Sequence, residues 1–315
     1  MKKTFFKISM LFFCAGLALT ACKTSDGDVT PKSENQKTAG SDDTRAQNEN
    51  ESGATDAEIA MSSNSSTQRT TADIIMGASI DESKAASEKK LVINYDGTTN
   101  VGGRKRSGSI IVQLTSGAHW SDQNTVMTLT YNSYKSTRVN DGTTITLNGT
   151  TKITNTSGGS VATMTALDTR TRRVRSSNME VIFANGSQRN WSIAKTRTIT
   201  CQLIGSAYTV KTMGDTTIEA HGDATHHVAA WGTTRFGTSF YTVIPDNNPI
   251  TWISASCSFV PVSGEASIQG LLRTVTIKYG VDSNGEEVTS ATCAYGVKMT
   301  WLGVDGSTKT AVDVY

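Results

Sequence analysis

The chain has 315 residues, and few of its side chains could act as nucleophiles or hold a metal: five cysteines and four histidines. Cys22 follows Leu19-Thr20-Ala21, and a thiol is the strongest nucleophile among ordinary side chains once ionised. Three cysteines follow, Cys201, Cys257 and Cys293. An odd count cannot all pair within one chain. Cys257 and Cys293 each sit beside a strand pattern with a hairpin between, and are expected to form a disulfide. Such a bond closes a loop of 36 residues, worth about 3–4 kcal/mol in the chain-entropy picture. Cys201, after Arg197-Thr198-Ile199-Thr200, is expected to be buried and inert, because no base lies beside it in sequence. His221 and His226, with His227, Glu219 and Asp223 nearby, are the best metal candidates. Zinc needs three or four converging ligands; this spacing matches no zinc motif, and a solvated polar turn is the stronger reading.

Other chemistries find less. Two carboxylates that hydrolyse a glycoside stand about 5–9.5 Å apart, and the sequence does not pair Asp96, Asp122, Glu180, Glu219, Asp246 or Glu265. Gly-x-Ser-x-Gly, a phosphate-binding glycine loop and His-Glu-x-x-His do not occur. Flat aromatic rings stack on sugars. Trp120 and Trp231 lie near turn-like segments and are the candidate ligand-binding aromatics, with core packing the competing reading. Trp191, Trp252 and Trp301 sit in strand patterns and are expected in the core. No cofactor is called for.

The N-terminus shows where Cys22 stands. Lys2, Lys3 and Lys7 precede an apolar run from Ile8 to Leu19, the layout of a secretory signal and too short for a normal membrane span. Leu19, Ala21 and Cys22 resemble the bacterial lipobox. That resemblance implies cleavage after residue 21 and a diacylglyceryl group on Cys22, hence a lipid bilayer as a partner; two or three chains make release slow. Position 23 is Lys rather than Asp, which by resemblance to known sorting rules argues against inner-membrane retention. Asp26 and Asp28 resemble the export tag of Bacteroidetes surface lipoproteins. The expected location is the outer membrane, at the cell surface or facing the periplasm.

Residues 23–89 hold 13 acidic and 7 basic residues and few large apolar ones. By composition alone they cannot bury enough apolar surface to offset chain entropy, so 22–89 is expected to be a lipidated cysteine on a disordered acidic stalk, with a short helix near 72–90 left open. Residues 90–315 hold 20 basic and 15 acidic residues. Arg104-Lys105-Arg106 and Arg170, Arg172, Arg173 and Arg175 make two basic clusters. Basic clusters can attract nucleic acid, but alternating Arg and Thr on a strand reads as a wet face, and no nucleic-acid partner is expected.

The remaining domain, 90–315, alternates with period two. Runs at 109–115, 125–131, 143–155, 179–183, 191–200, 239–244, 250–253, 273–279 and 294–301 combine β-branched or aromatic residues with polar neighbours, the pattern of strands with one buried face. Asn140-Asp141-Gly142, Asn148-Gly149, Asn185-Gly186, Asp282-Ser283-Asn284-Gly285 and Asp305-Gly306 read as turns. The spacings are too short for parallel crossovers. An all-β antiparallel meander of about ten or more strands is predicted, as a sandwich, barrel or long twisted sheet.

Several pieces are similar to a group of uncharacterised β-rich lipoproteins of Bacteroidetes: Gly103 to Val112, Leu147 to Thr156, Phe183-Ala184-Asn185-Gly186, Ser256-Cys257-Ser258 with Val262 to Ala266, and Thr276 to Gly280 leading to Thr292-Cys293-Ala294. One departure is that a third cysteine expected in the family is replaced here by the run Asp96-Gly97-Thr98-Thr99-Asn100. The resemblance implies a surface or periplasmic β-rich lipoprotein and carries no activity. The expectation is an envelope lipoprotein with a non-catalytic binding or structural β domain, its partner a glycan or an envelope protein; the alternative is an envelope hydrolase acting on glycans or another extracellular polymer.

Overall fold

A computed structural model describes residues 33–63, 75–202, 208–220, 223–253, 260–288 and 293–315. The period-two segments form strands. An antiparallel meander runs through β1 (Ala78–Asp81), β2 (Lys90–Val101), β3 (Arg104–Ser116), β4 (Thr125–Arg138), β5 (Thr144–Asn155), β6 (Thr169–Phe183), β7 (Gln188–Cys201) and β8 (Tyr208–Gly214), each paired with the next. Then come β9 (Thr216–Ala220), β10 (Asp223–Thr233), β11 (Ser239–Val243), β12 (Ile250–Ile253), β13 (Pro261–Ser263), β14 (Glu265–Gln269), β15 (Val275–Val281), β16 (Gly296–Leu302) and β17 (Thr308–Val314).

The edge of β7 is shared. Its second half, from Lys195, pairs with β8, while Trp191 to Ile193 pair with β10. From there the sheet continues through β11, β14, β15, β16 and β17, and β12 pairs with β8. It makes one all-β sheet of 17 strands that does not close into a barrel. Inward positions alternate with outward ones, as at Leu91, Ile93 and Tyr95 or Ile145 and Leu147, all buried.

The turn signals divide by geometry. Asn185-Gly186 closes the β6–β7 hairpin, with Gly186 at φ 79°. Asn148-Gly149 is not a turn: both residues lie inside β5. Gly149 has φ 116°, and a Cβ there would stand 3.3 Å from Met179 Cα. The register of β5 on β6 slips between Asn148 and Thr151. The glycine marks a bulge where two backbones approach closely.

The expected stalk is the larger correction. Ser33–Ser63 form one helix, α1, of 31 residues, about 46 Å long at 1.5 Å per residue. A helix this polar on all sides has no apolar stripe to dock, yet it is buried nearly all round. The sheet wraps it. Small residues allow the close approach: Ala46, Ala54, Ala57 and Ala60 join the core, and a Cβ at Gly53 would lie 2.7 Å from Tyr131 Oη. A second helix, α2 (Ala85–Glu88), is a single turn on the surface. Among the described residues no helix is long and apolar enough to cross a membrane.

Candidate functional site

The strongest feature of the structure is the charge pairing between α1 and the sheet. At 100° per residue, Asp42, Glu49 and Asp56 recur every seventh position and share one face of α1; Glu51 and Glu58 share a second face roughly opposite. Glu49 accepts hydrogen bonds from Arg104 Nη1 at 2.9 Å and Tyr134 Oη at 2.9 Å. Asp56 accepts from Arg106 Nη1 at 2.6 Å and Tyr95 Oη at 2.7 Å. On the other face, Glu51 meets Lys195 Nζ at 2.8 Å and Arg197 Nε at 2.7 Å, and Glu58 meets Arg197 Nη1 at 3.1 Å and Arg172 Nε at 3.3 Å. Nearer the N-terminus, Asp42 is held by both nitrogens of the Arg235 fork, and Asp43 by Arg189 and Thr242.

Strand periodicity explains the match. Arg104 and Arg106, like Lys195 and Arg197, stand two residues apart and so point to the same side of the sheet. Their neighbour Lys105 points outward and is exposed. The wet-face reading of the two basic clusters is thereby corrected: Arg104, Arg106 and Arg172 are buried against α1, whereas Arg173 and Arg175 lie on the other face and share Asp215. The sequence signal was the pair of acidic heptads facing basic residues at i, i+2 in strands.

Burial shapes these groups. It pushes the carboxyls of Glu49 and Glu51 up, but the cations win: Arg104 holds Glu49 below the ordinary Glu value, and Lys195 and Arg197 do the same for Glu51. At Asp42 burial outweighs Arg235 and raises the carboxyl. Burial, with Asp56 beside it, raises Tyr95 well above the usual phenol range; burial, with Glu49, does so for Tyr134. The phenols therefore stay protonated and donate to the carboxylates.

The residues singled out from sequence are dispersed. Cys22, Cys257 and His221 lie outside the described residues. The expected disulfide is corrected: no Sγ–Sγ pair joins two described residues; Cys201 is buried at the end of β7, and Cys293 lies on an exposed segment before β16. His226 Nδ1 is 3.0 Å from Thr217 Oγ1 and His227 Nε2 is 3.9 Å from Asp246. Among the described residues no three His, Cys, Asp or Glu side chains gather to hold a metal. Trp120 is not an exposed platform; it is 4% exposed, with the Arg172 guanidinium 5.2 Å from its ring. Trp231 is half-buried within β10, between Ser192 of β7 and Tyr241 of β11. Trp191, Trp252 and Trp301 are in the core.

Trp120 does line a cavity. At the C-terminal end of α1 a space of about 260 Å³ opens between Met61, Leu91, Leu114 and Trp120, with Lys89 and His119 also in its wall. Compared with known protein families, with curated proteins and with solved structures, the chain matches none.

Proposed function

We propose that this is a bacterial envelope lipoprotein, lipidated at Cys22, whose β domain is a non-catalytic structural or binding module rooted close to its membrane. The carrying observation is the burial of α1 in the sheet through paired charges. If Cys22 bears the lipid, only residues 23–32 separate the anchor from α1. Ten residues reach at most about 35 Å when fully extended. A stalk running to residue 89 would reach several times further. Tension on the anchor would then pass along α1 into the sheet, spread over the ion pairs on both faces of the helix. That arrangement suits a module that bears load or holds a partner near the bilayer.

Detergent phase partition of the full-length protein and its Cys22→Ala variant, expressed in a host that lipidates such proteins, tests this reading. The parent should enter the detergent phase and the variant the aqueous phase. Equal partition of both into detergent would overturn the anchor. Protease treatment of intact and lysed cells then decides whether the module faces outward or inward.

A further inference from the structure

We propose that the cavity at the C-terminal end of α1 binds a small monocarboxylate with a short apolar body. Its wall is mostly apolar: Leu91 and Leu114 are buried in β2 and β3, Trp120 is buried beside them, and Met61 comes from the last turn of α1. The volume of about 260 Å³ sits near the small end of ligand sites, which are commonly apolar with a few placed polar groups. One charge stands in that wall. Lys89 adopts a left-handed conformation, φ 51°, as the residue that ends α2, and its backbone is tied on both sides: its N–H donates to Ala85 O at 3.1 Å and its carbonyl accepts from Leu114 N at 3.0 Å.

The Lys89 ammonium donates to Gly117 O at 3.0 Å, leaving two further N–H donors. Among the described residues it pairs with no carboxylate, whereas its neighbours Lys84 and Lys90 both meet Glu88, and His119 meets Asp122. The hydroxyls in the wall are less free: Ser160 Oγ already donates to Ser62 Oγ at 2.7 Å. A largely apolar space with one cation at its exposed edge, free of any carboxylate partner among the described residues, recognises an anion that carries its charge at one end. A dianion would find one cation only.

The test uses octanoate and its neutral counterpart 1-octanol, titrated into the full-length chain carrying Cys22→Ala and followed by amide NMR shifts. Octanoate should bind saturably, with shifts centred on residues 85–91 and 114–121. Each methylene removed from the acid should weaken binding about fourfold, the effect of a buried CH₂. Lys89→Gln should weaken octanoate about three- to tenfold and leave 1-octanol unchanged. Ala85→Leu, which fills the cavity from α2, should abolish both. Non-saturable shifts, shifts elsewhere, or octanoate binding indifferent to Lys89→Gln would overturn the assignment. The outcome does not depend on lipidation, so the two proposals fail separately.

Discussion

Replacing Lys195 with Met tests whether the buried charges hold α1 in place. The side chain is fully buried and its Nζ donates to Gln47 Oε1 at 2.9 Å and Glu51 Oε1 at 2.8 Å. Methionine keeps nearly the same length but no donor. Removing one partner of a buried pair typically costs about 3–5 kcal/mol, because the other charge is stranded away from water. Glu51 retains Arg197 at 2.7 Å, so the lower end applies, about 3 kcal/mol. For a domain of this size class that lowers Tm by about 6–12 °C. Calorimetry gives the shift, and trypsin reports on the helix, since Lys37 and Arg45 are sites within α1 that open when it undocks. Pairing the change with Glu51→Leu should recover part of the loss, giving a coupling above about 1 kcal/mol. Lys84→Met, which breaks an exposed pair with Glu88, should leave Tm unmoved. A Lys195→Met variant within about 1 kcal/mol of the parent, or an additive cycle, would refute the reasoning.

Gly53→Ala should destabilise by about 1–3 kcal/mol, although alanine ordinarily improves a helix by about 1 kcal/mol over glycine; the new Cβ would stand 2.7 Å from Tyr131 Oη, which Asn50 already holds, and an increase in Tm would sink the packing argument. Because the folded-state values of Glu49 and Glu51 lie below their ordinary 4.5, their contribution is full above about pH 4.5 and is lost as pH falls through the depressed values. Asp42, raised by burial, works oppositely: its contribution is full below its ordinary 3.8 and is lost as pH rises through the raised value. Denaturant titrations should therefore show stability falling below pH 4.5 in the parent, with a shallower fall in Glu51→Gln; parallel profiles would contradict the assignment. Trp120→Ala should cost about 3–5 kcal/mol as a large-to-small change in the core, read as a drop in the guanidinium midpoint, whereas an exposed stacking platform would lose almost nothing.

The period-two runs were legible because a strand's two faces alternate whatever it packs against, and the hairpin at Asn185-Gly186 was legible because positive φ favours glycine locally. Asn148-Gly149 carries the same dipeptide yet makes a bulge, because its geometry is set by Met179 on the neighbouring strand, a fact outside the local sequence. Trp120 and Trp231 both stand near turn signals, yet Trp120 folds over the core and Trp231 lies inside β10, a difference that local context does not carry.

By itself, then, the sequence determined many of the strands, their alternation, most of the turns and the all-β class, since these rest on neighbours a few residues apart; β2, β10 and β17 were not among its period-two runs. Only the tertiary structure decided what residues 33–63 become. Judged by the apolar area they could bury, they belong in water. The cations that claim them are far along the chain: Arg189 lies 146 residues from Asp43 and Lys195 lies 144 from Glu51. A carboxylate is tolerated in a protein interior when a matched cation and donors meet it there, and here only the assembled sheet lines up its inward arginines and lysine opposite the helix.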